Sequence, residues 1–254
     1  MRSSAENSTR IRAVITDIDG TLTQSSESYV LHIGAVEIIR RIVREGYIVV
    51  LASGNSIPMV LGLARYIGSS DIVIAENGGA IAYENEIKWL CKDSERDKLV
   101  EFEDLVYREG VLRDRIRRGW QNDFMRCSKA FKILRKDERA EEIKRIMMRI
   151  AEERGFKDLL ISYSGFAIHV NPVGCSKAEA AEKLLNLYSI SWDETLAIGD
   201  SEIDLEMIRR AGYGCLIANK YEENLKWVGC TSSRRAGEGF IEIIEKILGF
   251  KLES

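Results

Sequence analysis

Short, continuous apolar runs that alternate with helical patterns constrain the fold of this chain more than any other feature of its sequence. The runs at residues 13–15, 47–52 and 72–75 contain only apolar residues, and the segments between them carry apolar residues at helical spacing. Strands of this kind are buried on both faces, which is typical of a parallel sheet covered by helices. The sequence therefore predicts an α/β protein with a doubly wound, Rossmann-like parallel sheet.

The alternation of strand and helix stops near residue 81 and returns after residue 171. The intervening patterns are a hairpin, a charged stretch, a strand, a helix and two strands, at residues 81–89, 94–118, 131–134, 138–155, 159–162 and 167–170. The later patterns are helix, strand, helix, strand and helix, at residues 176–187, 195–198, 202–211, 215–218 and 240–248. The sequence therefore predicts a core formed by residues 1–81 and 171–254, with an inserted α+β cap domain at residues 82–170.

The charge of the chain argues against a polyanionic partner. Its 37 basic and 40 acidic residues are mixed along the sequence and give a formal net charge of −3, so no basic footprint for a nucleic-acid backbone is expected. No apolar run approaches the roughly 18 residues that a membrane span requires. We therefore expect a cytoplasmic monomer or homodimer that acts on a small charged ligand, without nucleic-acid or membrane partners.

The cysteines are odd in number, scattered along the chain and never arranged as a C-x-x-C pair. They are Cys91, Cys127, Cys175, Cys215 and Cys230. This spacing is typical neither of a disulfide framework nor of a zinc site. The sequence therefore predicts reduced thiols, in keeping with a cytoplasmic protein.

An acidic pair, Asp17 and Asp19, follows the first predicted strand directly. Ligands of open α/β sheets bind beyond the carboxyl ends of the strands, and Gly20 lets the backbone turn sharply there. Two acids this close repel each other unless a hard cation such as Mg²⁺ lies between them. One carboxylate could then attack phosphorus while the other transfers the proton of the leaving group. Alone, the pair is equally compatible with an ordinary turn.

Two more groups occupy comparable positions. Ser53 and Gly54 follow the second strand and precede a helix, where a hydroxyl and free backbone N–H groups bind a phosphoryl oxygen. Lys177 lies in the first turn of a predicted helix, where its charge opposes the helix dipole unless an anion lies nearby. Each group alone also has an ordinary explanation, as a helix cap or a surface lysine.

A second acidic pair, Asp200 and Asp204, follows a later buried strand and spans the start of a helix. Helix capping and dipole matching explain such a pair equally well. All four groups, however, lie at strand ends of one predicted sheet, and several carboxylates without a cation would repel one another strongly. The combined set therefore predicts one cleft with a Mg²⁺ site.

At these residues the chain resembles the haloacid dehalogenase-like phosphatases. The four motifs of that family match Asp17-x-Asp19-Gly20-Thr21, Ser53, Lys177 and Gly199-Asp200-x-x-x-Asp204. The resemblance spans residues 11 to about 248. The segment Glu76-Asn77-Gly78-Gly79 and the inserted block are similar to the Cof-like branch of the family, whose caps close over the substrate.

The resemblance implies a role for each matched residue. Asp17 would be the nucleophile, and Asp19 the general acid and base. Ser53 and Gly54 would bind the phosphate, while Lys177 would neutralise it and orient Asp17. The metal ligands would be Asp17, Asp19 through its backbone carbonyl, Asp200 and Asp204. These roles agree with the demands of phosphoryl transfer, which depends mainly on positioning and charge neutralisation.

Within the Cof-like branch the chain is most similar to archaeal phosphoglycolate phosphatases, which implies hydrolysis of 2-phosphoglycolate, a small phosphorylated metabolite. Sugar phosphates and mannosyl-phosphoglycerate are alternative substrates, because related phosphatases use similar caps. Arg126, Lys129 and Lys132 could meet a substrate carboxylate or form a solvated basic face. The branch usually carries Asn where this chain has Ile203, so a contact near the metal or phosphate would be missing.

A catalytically silent binding or regulatory module is the alternative from a different class. Loss of Asp17 or Asp19 would favour it, and both residues are present. Fold alone does not imply function, but an intact set of site residues favours an enzyme. His32 and His169 have no partner at metal-ligand spacing, so structural roles are expected for both histidines.

Overall fold

The computed structural model of the chain describes residues 10–108, 110–134, 139–218 and 228–252. In chain order the strands are β1 (Ala13–Asp17), β2 (Ile48–Ala52), β3 (Val73–Ala75), β4 (Ala80–Tyr83), β5 (Glu86–Trp89), β6 (Ile116–Arg118), β7 (Lys129–Ile133), β8 (Leu159–Tyr163), β9 (Ile168–Pro172), β10 (Thr195–Gly199), β11 (Tyr213–Leu216) and β12 (Cys230–Thr231). The helices are α1 (Ile33–Arg44), α2 (Ile57–Ile67), α3 (Asp93–Arg108), α4 (Gly110–Arg113), α5 (Ala140–Glu153), α6 (Lys177–Leu187), α7 (Leu205–Arg210) and α8 (Ala236–Leu248). None of the helices in these ranges combines the length and the apolarity of a membrane-spanning segment.

The large sheet has the strand order β12-β11-β10-β1-β2-β3-β4-β5. Neighbouring strands from β12 to β3 are parallel, whereas β4 and β5 join them as an antiparallel hairpin. The predicted α/β fold with a parallel sheet is confirmed. Because β1 lies between β2 and β10, the carboxyl ends of these three strands meet at one edge of the sheet.

Helices cover both faces of the large sheet because its central strands are apolar on both faces. Val14 of β1 packs into a buried cluster with residues of α1, α2 and α8. Its neighbours Ala13 and Ile15 point to the opposite face and pack with residues of α6 and α7. The result is a three-layer core that holds the strand ends in fixed positions.

A second sheet, with the order β6-β7-β9-β8, is antiparallel throughout. Helices α3 and α5 cover one face, where Phe102 and Met147 pack with Phe131 and Ile168 of the strands. The charged stretch predicted at residues 94–118 therefore forms mainly a helix whose few apolar residues face this core. The opposite face of the sheet lines a cavity shared with the end of β1.

The predicted hairpin at residues 81–89 forms as β4 and β5, with Glu84 and Asn85 both at positive φ in the two-residue turn, as hairpin twist favours. This hairpin pairs with the large sheet. The division of the chain at residues 81 and 171 stays a prediction. Helix α5 matches the helix predicted at residues 138–155, although residue 138 lies outside the described residues.

The prediction of reduced thiols is wrong for four of the five cysteines. Cys91 pairs with Cys127, and Cys215 with Cys230, as disulfides, whereas Cys175 is free and buried. The pairs are separated by 36 and 15 residues, and the strand register that places Cys215 opposite Cys230 is not visible in the spacing. The predicted cytoplasmic location therefore loses this support and stays a prediction.

Candidate active site

The predicted site residues gather at the carboxyl edge of the large sheet. Asp17 is the last residue of β1, Ser53 follows β2, and Asp200 follows β10. Lys177 begins α6, and Asp204 ends a 3₁₀ turn before α7. This convergence follows from the parallel order of β2, β1 and β10, which brings their ends together.

Lys177 bridges two carboxylates below this edge. Its Nζ donates hydrogen bonds to Asp17 Oδ1 at 2.5 Å and to Asp204 Oδ1 at 2.7 Å, and only 2% of the residue is exposed. Burial alone would lower the pKa of Lys177, but the two carboxylates outweigh it and raise the pKa well above its ordinary value. Lys177 is therefore a protonated, fixed cation beside Asp17.

Asp204 is fully buried and its carboxylate has partners on both oxygens. Besides the bond from Lys177, Oδ2 accepts from the backbone N of Asp200 at 3.2 Å, from the backbone N of Ser201 at 3.1 Å and from Ser201 Oγ at 2.8 Å. A Cβ on Gly199 would lie 2.4 Å from the Asp204 Cβ. Because Gly199 has no side chain, Asp204 can pack against the end of β10 and accept bonds from the loop that follows it.

Three carboxylates form a cluster suited to a cation. One oxygen each from Asp17, Asp200 and Asp204 lies within 4.8 Å of the others, and all three residues are buried. Asp200 Oδ1 has no hydrogen-bond partner among the described residues. Burial, with the neighbouring acids, raises the pKa of Asp17 to about 8 and that of Asp200 to about 9.

The donor set consists of carboxylate oxygens, which suits a hard divalent cation such as Mg²⁺ that prefers oxygen ligands and also binds phosphate oxygens. Such a cation would favour the ionised carboxylates that burial disfavours. The side chain of Asp19 is not part of this cluster. Gly20, at φ 85°, closes the turn, and a Cβ there would lie 2.3 Å from Asp200 Oδ2.

A second hydrogen-bond network joins Asp19, in the turn after β1, to the loop after β2. Asn55 Nδ2 donates to Asp19 Oδ2 at 2.9 Å and to Ser53 Oγ at 2.9 Å, and the backbone N of Asn55 also donates to Ser53 Oγ, at 3.1 Å. Burial raises the pKa of Asp19, although the bond from Asn55 opposes this shift. The network fixes the position of Asp19 and the orientation of the Ser53 hydroxyl.

Gln121 of the inserted block completes this network and was missed by sequence reasoning. Its Nε2 donates to Asn55 Oδ1 at 2.6 Å, and its Oε1 accepts from the backbone N of Ser56 at 2.8 Å and from Ser56 Oγ at 2.9 Å. Gln121 lies in a 3₁₀ turn after β6, and no motif marks it. One side chain therefore couples the inserted block to the loop that holds Asp19.

The acids lie beneath a cavity of about 310 Å³, whose lining includes Asp17, Asp19, Gly54 and Lys177. The inserted block lines the opposite side. Ile203 is in the wall, so an apolar side chain stands where the related branch carries an amide. Tyr29 and Phe166 also line the cavity, with their ring centroids 5.1 Å apart.

Only one of the three basic residues proposed for substrate contact lines the cavity. Arg126 is paired with Asp93 and lies over the ring of Trp89. Lys129 is buried, with its Nζ 2.9 Å from a backbone carbonyl of the same block and 3.5 Å from the Glu103 carboxylate. Lys132 lines the cavity.

The two histidines differ in their positions. His32 caps α1, where its Nδ1 accepts from the backbone N of Ala35 at 3.3 Å, so its predicted structural role is confirmed. His169 instead lies in the cavity wall, with Nε2 3.0 Å from Ser164 Oγ. Burial, together with the charge of Lys177, lowers the pKa of His169 to about 4, so the imidazole is neutral.

The segment Glu76–Gly79 connects β3 to β4 of the large sheet and contacts the inserted block. Glu76 is fully buried, and its Oε2 accepts from the backbone N of Arg126 at 3.0 Å and of Cys127 at 2.6 Å. Asn77 adopts φ 53° and lines the cavity. Gly78 packs so closely that a Cβ would lie 2.0 Å from the carbonyl oxygen of Ser176, at the start of the helix that carries Lys177.

The chain is similar to known proteins along most of its length. A family model described as haloacid dehalogenase-like hydrolase matches residues 14–111 and 119–244. A phosphoglycolate phosphatase of Metallosphaera sedula is 34% identical over 238 residues, which cover 94% of this chain and 99% of the relative. Another, of Sulfolobus acidocaldarius, is 33% identical over 240 residues, covering 94% and 97%. The crystal structure of Thermoplasma acidophilum 0175 is 30% identical, with a TM-score of 0.77, and covers 93% of this chain and 98% of that one.

Proposed function

The chain belongs to the haloacid dehalogenase-like hydrolases, and we propose that it is a Mg²⁺-dependent phosphatase that converts 2-phosphoglycolate and water to glycolate and phosphate through a phospho-aspartate on Asp17. The observation that carries this proposal is the contact between Asp17 and the buried cation of Lys177 at the bottom of the cavity. The phosphoglycolate phosphatases of Metallosphaera sedula and Sulfolobus acidocaldarius support the substrate.

Asp17 is suited to attack phosphorus. Lys177 binds Oδ1 of Asp17, so the carboxylate is held in one orientation while its other oxygen forms the bond to phosphorus. The same lysine offsets the negative charge that gathers on the phosphoryl group. Ser53 and the backbone of Gly54, at the end of β2, would bind the remaining phosphoryl oxygens.

Asp19 would transfer the protons. It lines the cavity beside Asp17, and burial raises its pKa, so it can carry the proton that the leaving alkoxide needs. After the protonated leaving group, glycolate, departs, the Asp19 carboxylate would take a proton from the water that hydrolyses the phospho-aspartate. The bond from Asn55 holds Asp19 in position through both half-reactions.

The metal ligands in this proposal are the carboxylates of Asp17, Asp200 and Asp204 and the backbone carbonyl of Asp19. Mg²⁺ bound there would neutralise phosphate charge and orient the substrate. The unpartnered Oδ1 of Asp200 and the raised pKa of Asp17 and Asp200 support this assignment.

Residues 82–170 would act as a cap that closes over the substrate and excludes water from the first step. The bonds of Gln121 to Asn55 and Ser56 support this role, because they link residues 82–170 to the network around Asp19. We keep the predictions of a small phosphorylated metabolite as the only class of ligand, of a monomer or homodimer, and of a cytoplasmic location.

Phosphate release from a panel of 2-phosphoglycolate, sugar phosphates, mannosyl-phosphoglycerate and an aryl phosphate tests the proposal, with Mg²⁺ or EDTA, for the wild type and Asp17→Asn. We expect Mg²⁺-dependent release, fastest with 2-phosphoglycolate and absent in the variant. Asparagine still accepts the bond from Lys177, so the substitution removes the nucleophile and preserves the contact. Equal activity of the variant would contradict the phospho-aspartate, whereas a faster ester of another kind would replace only the substrate.

A further inference from the structure

Two buried polar side chains in the cavity wall have atoms that the mechanism does not use. Asn77 is 3% exposed, and neither atom of its amide has a hydrogen-bond partner within the described ranges. His169 is 7% exposed, and its Nδ1 has no partner there either. Buried polar groups are nearly always hydrogen-bonded, and those left unpaired cost stability. Two such groups facing one cavity point to a ligand that supplies their partners.

Both groups lie beside the loop proposed to bind phosphate. A Cβ on Gly54 would lie 2.8 Å from His169 Cε1 and 2.9 Å from Asn77 Oδ1. Gly54 directly follows Ser53, so a ligand group that reaches Asn77 and His169 lies next to the phosphoryl position. The absence of a side chain at Gly54 lets His169 and Asn77 approach this loop so closely.

The register of β7 and β9 shows that a lysine lies on the same side of the cavity as His169. Ala130 of β7 lies opposite His169 of β9, and alternate residues of a strand share a face. Lys132, two residues beyond Ala130, therefore lies on the face that carries His169, whereas Lys129 lies on the other. Ala130 also lines the cavity.

Of the three basic residues, Lys132 is the one that forms no ion pair within the described residues. Its charge opposes the rise in the pKa of Asp19, and its Nζ lies 5.2 Å from the ring centroid of Tyr29. By contrast, Arg126 and Lys129 already have carboxylate partners. Lys132 is thus available to a ligand anion.

We infer that Asn77, Lys132 and His169, here called the roof residues, bind a carboxylate of the substrate and thereby select short phosphomonoesters that carry one. Lys132 supplies the charge, and Asn77 Nδ2 supplies a neutral donor. The neutral imidazole donates through Nδ1 when the Ser164 hydroxyl turns its proton from the Ala167 carbonyl to Nε2. Their position beside Gly54 requires the carboxylate to lie close to the phosphate. This inference rests on the proposed function and extends it to a class of substrate.

The test compares two esters of equal length, 2-phosphoglycolate and 2-hydroxyethyl phosphate, which differ by a carboxylate against an alcohol. We expect Lys132→Met to lower kcat/KM for 2-phosphoglycolate at least about tenfold, mainly through KM, as expected for a lost charge-assisted hydrogen bond. The same substitution should lower kcat/KM for 2-hydroxyethyl phosphate by a smaller factor, because that ester has no carboxylate for Lys132 to bind, so the ratio of the two kcat/KM values should fall. Lys157→Met, at an exposed position of the same block, is the matched control and should change neither.

Asn77→Gly is the second variant, since glycine tolerates the positive φ at this position. We expect it to lower the preference for the carboxylated ester in the same direction as Lys132→Met. Equal losses on both esters, or a wild type without preference for the carboxylate, would overturn the inference and leave the phosphatase activity standing.

Direct binding separates this inference from the catalytic proposal. Calorimetric titration of 2-phosphoglycolate into the Asp17→Asn variant, with and without Lys132→Met, needs no turnover. A Kd raised at least about tenfold by Lys132→Met supports the inference even if wild-type turnover is absent. An unchanged Kd overturns it even if turnover is fast.

Discussion

The residues below the cavity, here called the floor (Asp17, Lys177, Asp200 and Asp204), and the roof residues differ in how many of their polar atoms have hydrogen-bond partners. On the floor, Lys177 binds Asp17 and Asp204, and Asp204 has partners on both oxygens. On the roof, Asn77 and His169 keep unpartnered atoms in the described structure. Groups already held in place by the protein suit chemistry, because they need no reorganisation during the reaction. Groups without partners suit recognition, because a ligand satisfies them.

Removing the floor cation should produce the largest effect. Lys177→Met leaves Asp17 and Asp204 buried without their counter-charge, and breaking a buried ion pair costs about 3–5 kcal/mol. We expect kcat/KM to fall at least about a thousandfold and the free energy of unfolding, measured by urea denaturation in EDTA, to fall by about 3 kcal/mol.

Lys183→Met is the matched control for this substitution, because Lys183 is exposed on the same helix. It should retain wild-type activity and stability. If Lys177→Met were as active as this control, the floor would not act as one charged unit.

Adding a side chain at Gly20, which displaces the Asp200 carboxylate, should have the next largest effect on activity. Gly20→Ala introduces a Cβ 2.3 Å from Asp200 Oδ2 at φ 85°, so the carboxylate must move. We expect kcat to fall about a hundredfold, as misplacement by about an ångström can produce, and the Mg²⁺ concentration for half-maximal activity to rise.

Gly46→Ala distinguishes displacement from backbone strain. Gly46 adopts φ 92°, and a Cβ there would meet no atom within 4 Å, so Gly46→Ala shares the strain of Gly20→Ala without the contact. This control should lose stability and keep its activity and Mg²⁺ dependence. Equal kinetic losses in both variants would rule out the contact with Asp200 as the cause.

The contribution of Glu76, which binds the inserted block through the backbone of Arg126 and Cys127, to folding stability should depend on pH. Burial raises the pKa of Glu76 from 4.5 to about 7, although bonds from the backbone of Cys127 and Arg126 oppose the shift. Because the folded state holds this proton more tightly, its stabilising contribution is complete below pH 4.5 and is lost as the pH rises to 7. Glu76→Gln keeps the acceptor oxygen and removes the titration.

We therefore expect Glu76→Gln to gain stability relative to the wild type as the pH rises, by about 2–3 kcal/mol between about pH 4.5 and about pH 8. Urea denaturation of both proteins at the two pH values measures the difference. A constant difference between them would show that Glu76 does not titrate in this range.

The smallest effect on activity should come from removing the hydrogen bonds between Gln121 of the inserted block and the loop after β2. Gln121→Leu removes the bonds to Asn55 and Ser56, each with a net value of about 0.5–1.5 kcal/mol. We expect kcat/KM to fall about tenfold and the free energy of unfolding in urea to fall by about 1–3 kcal/mol. A loss confined to stability would contradict a link between the cap and Asp19.

The floor could be predicted from the sequence, and the roof could not. Asp17, Ser53 and Asp200 each follow a buried strand, and parallel strands bring such positions to one edge whatever the details of packing. Lys177 stood out because its charge opposes the dipole of its own helix. These signals are local, so periodicity and strand ends were sufficient.

The roof depends on features that are not local. Lys129 and Lys132 look alike in the sequence, and the pairing of β7 with β9 decides which one reaches the cavity. His169 was expected to be structural because no metal-ligand spacing surrounds it. Gln121 carries no motif, and the disulfide between Cys91 and Cys127 joins residues 36 apart. Each depends on how the second sheet lies against the first.

The central claim is that Asp17 carries the phosphoryl group during turnover. Wild type and Asp17→Asn are mixed with 2-phosphoglycolate and Mg²⁺, quenched in acid within the first turnover, digested and examined by mass spectrometry. The account predicts one phosphoryl group on the wild-type peptide that contains Asp17, appearing and decaying with turnover, and none in the variant. Phosphate release without any phosphorylated peptide, or with the phosphoryl group on another residue, would contradict it.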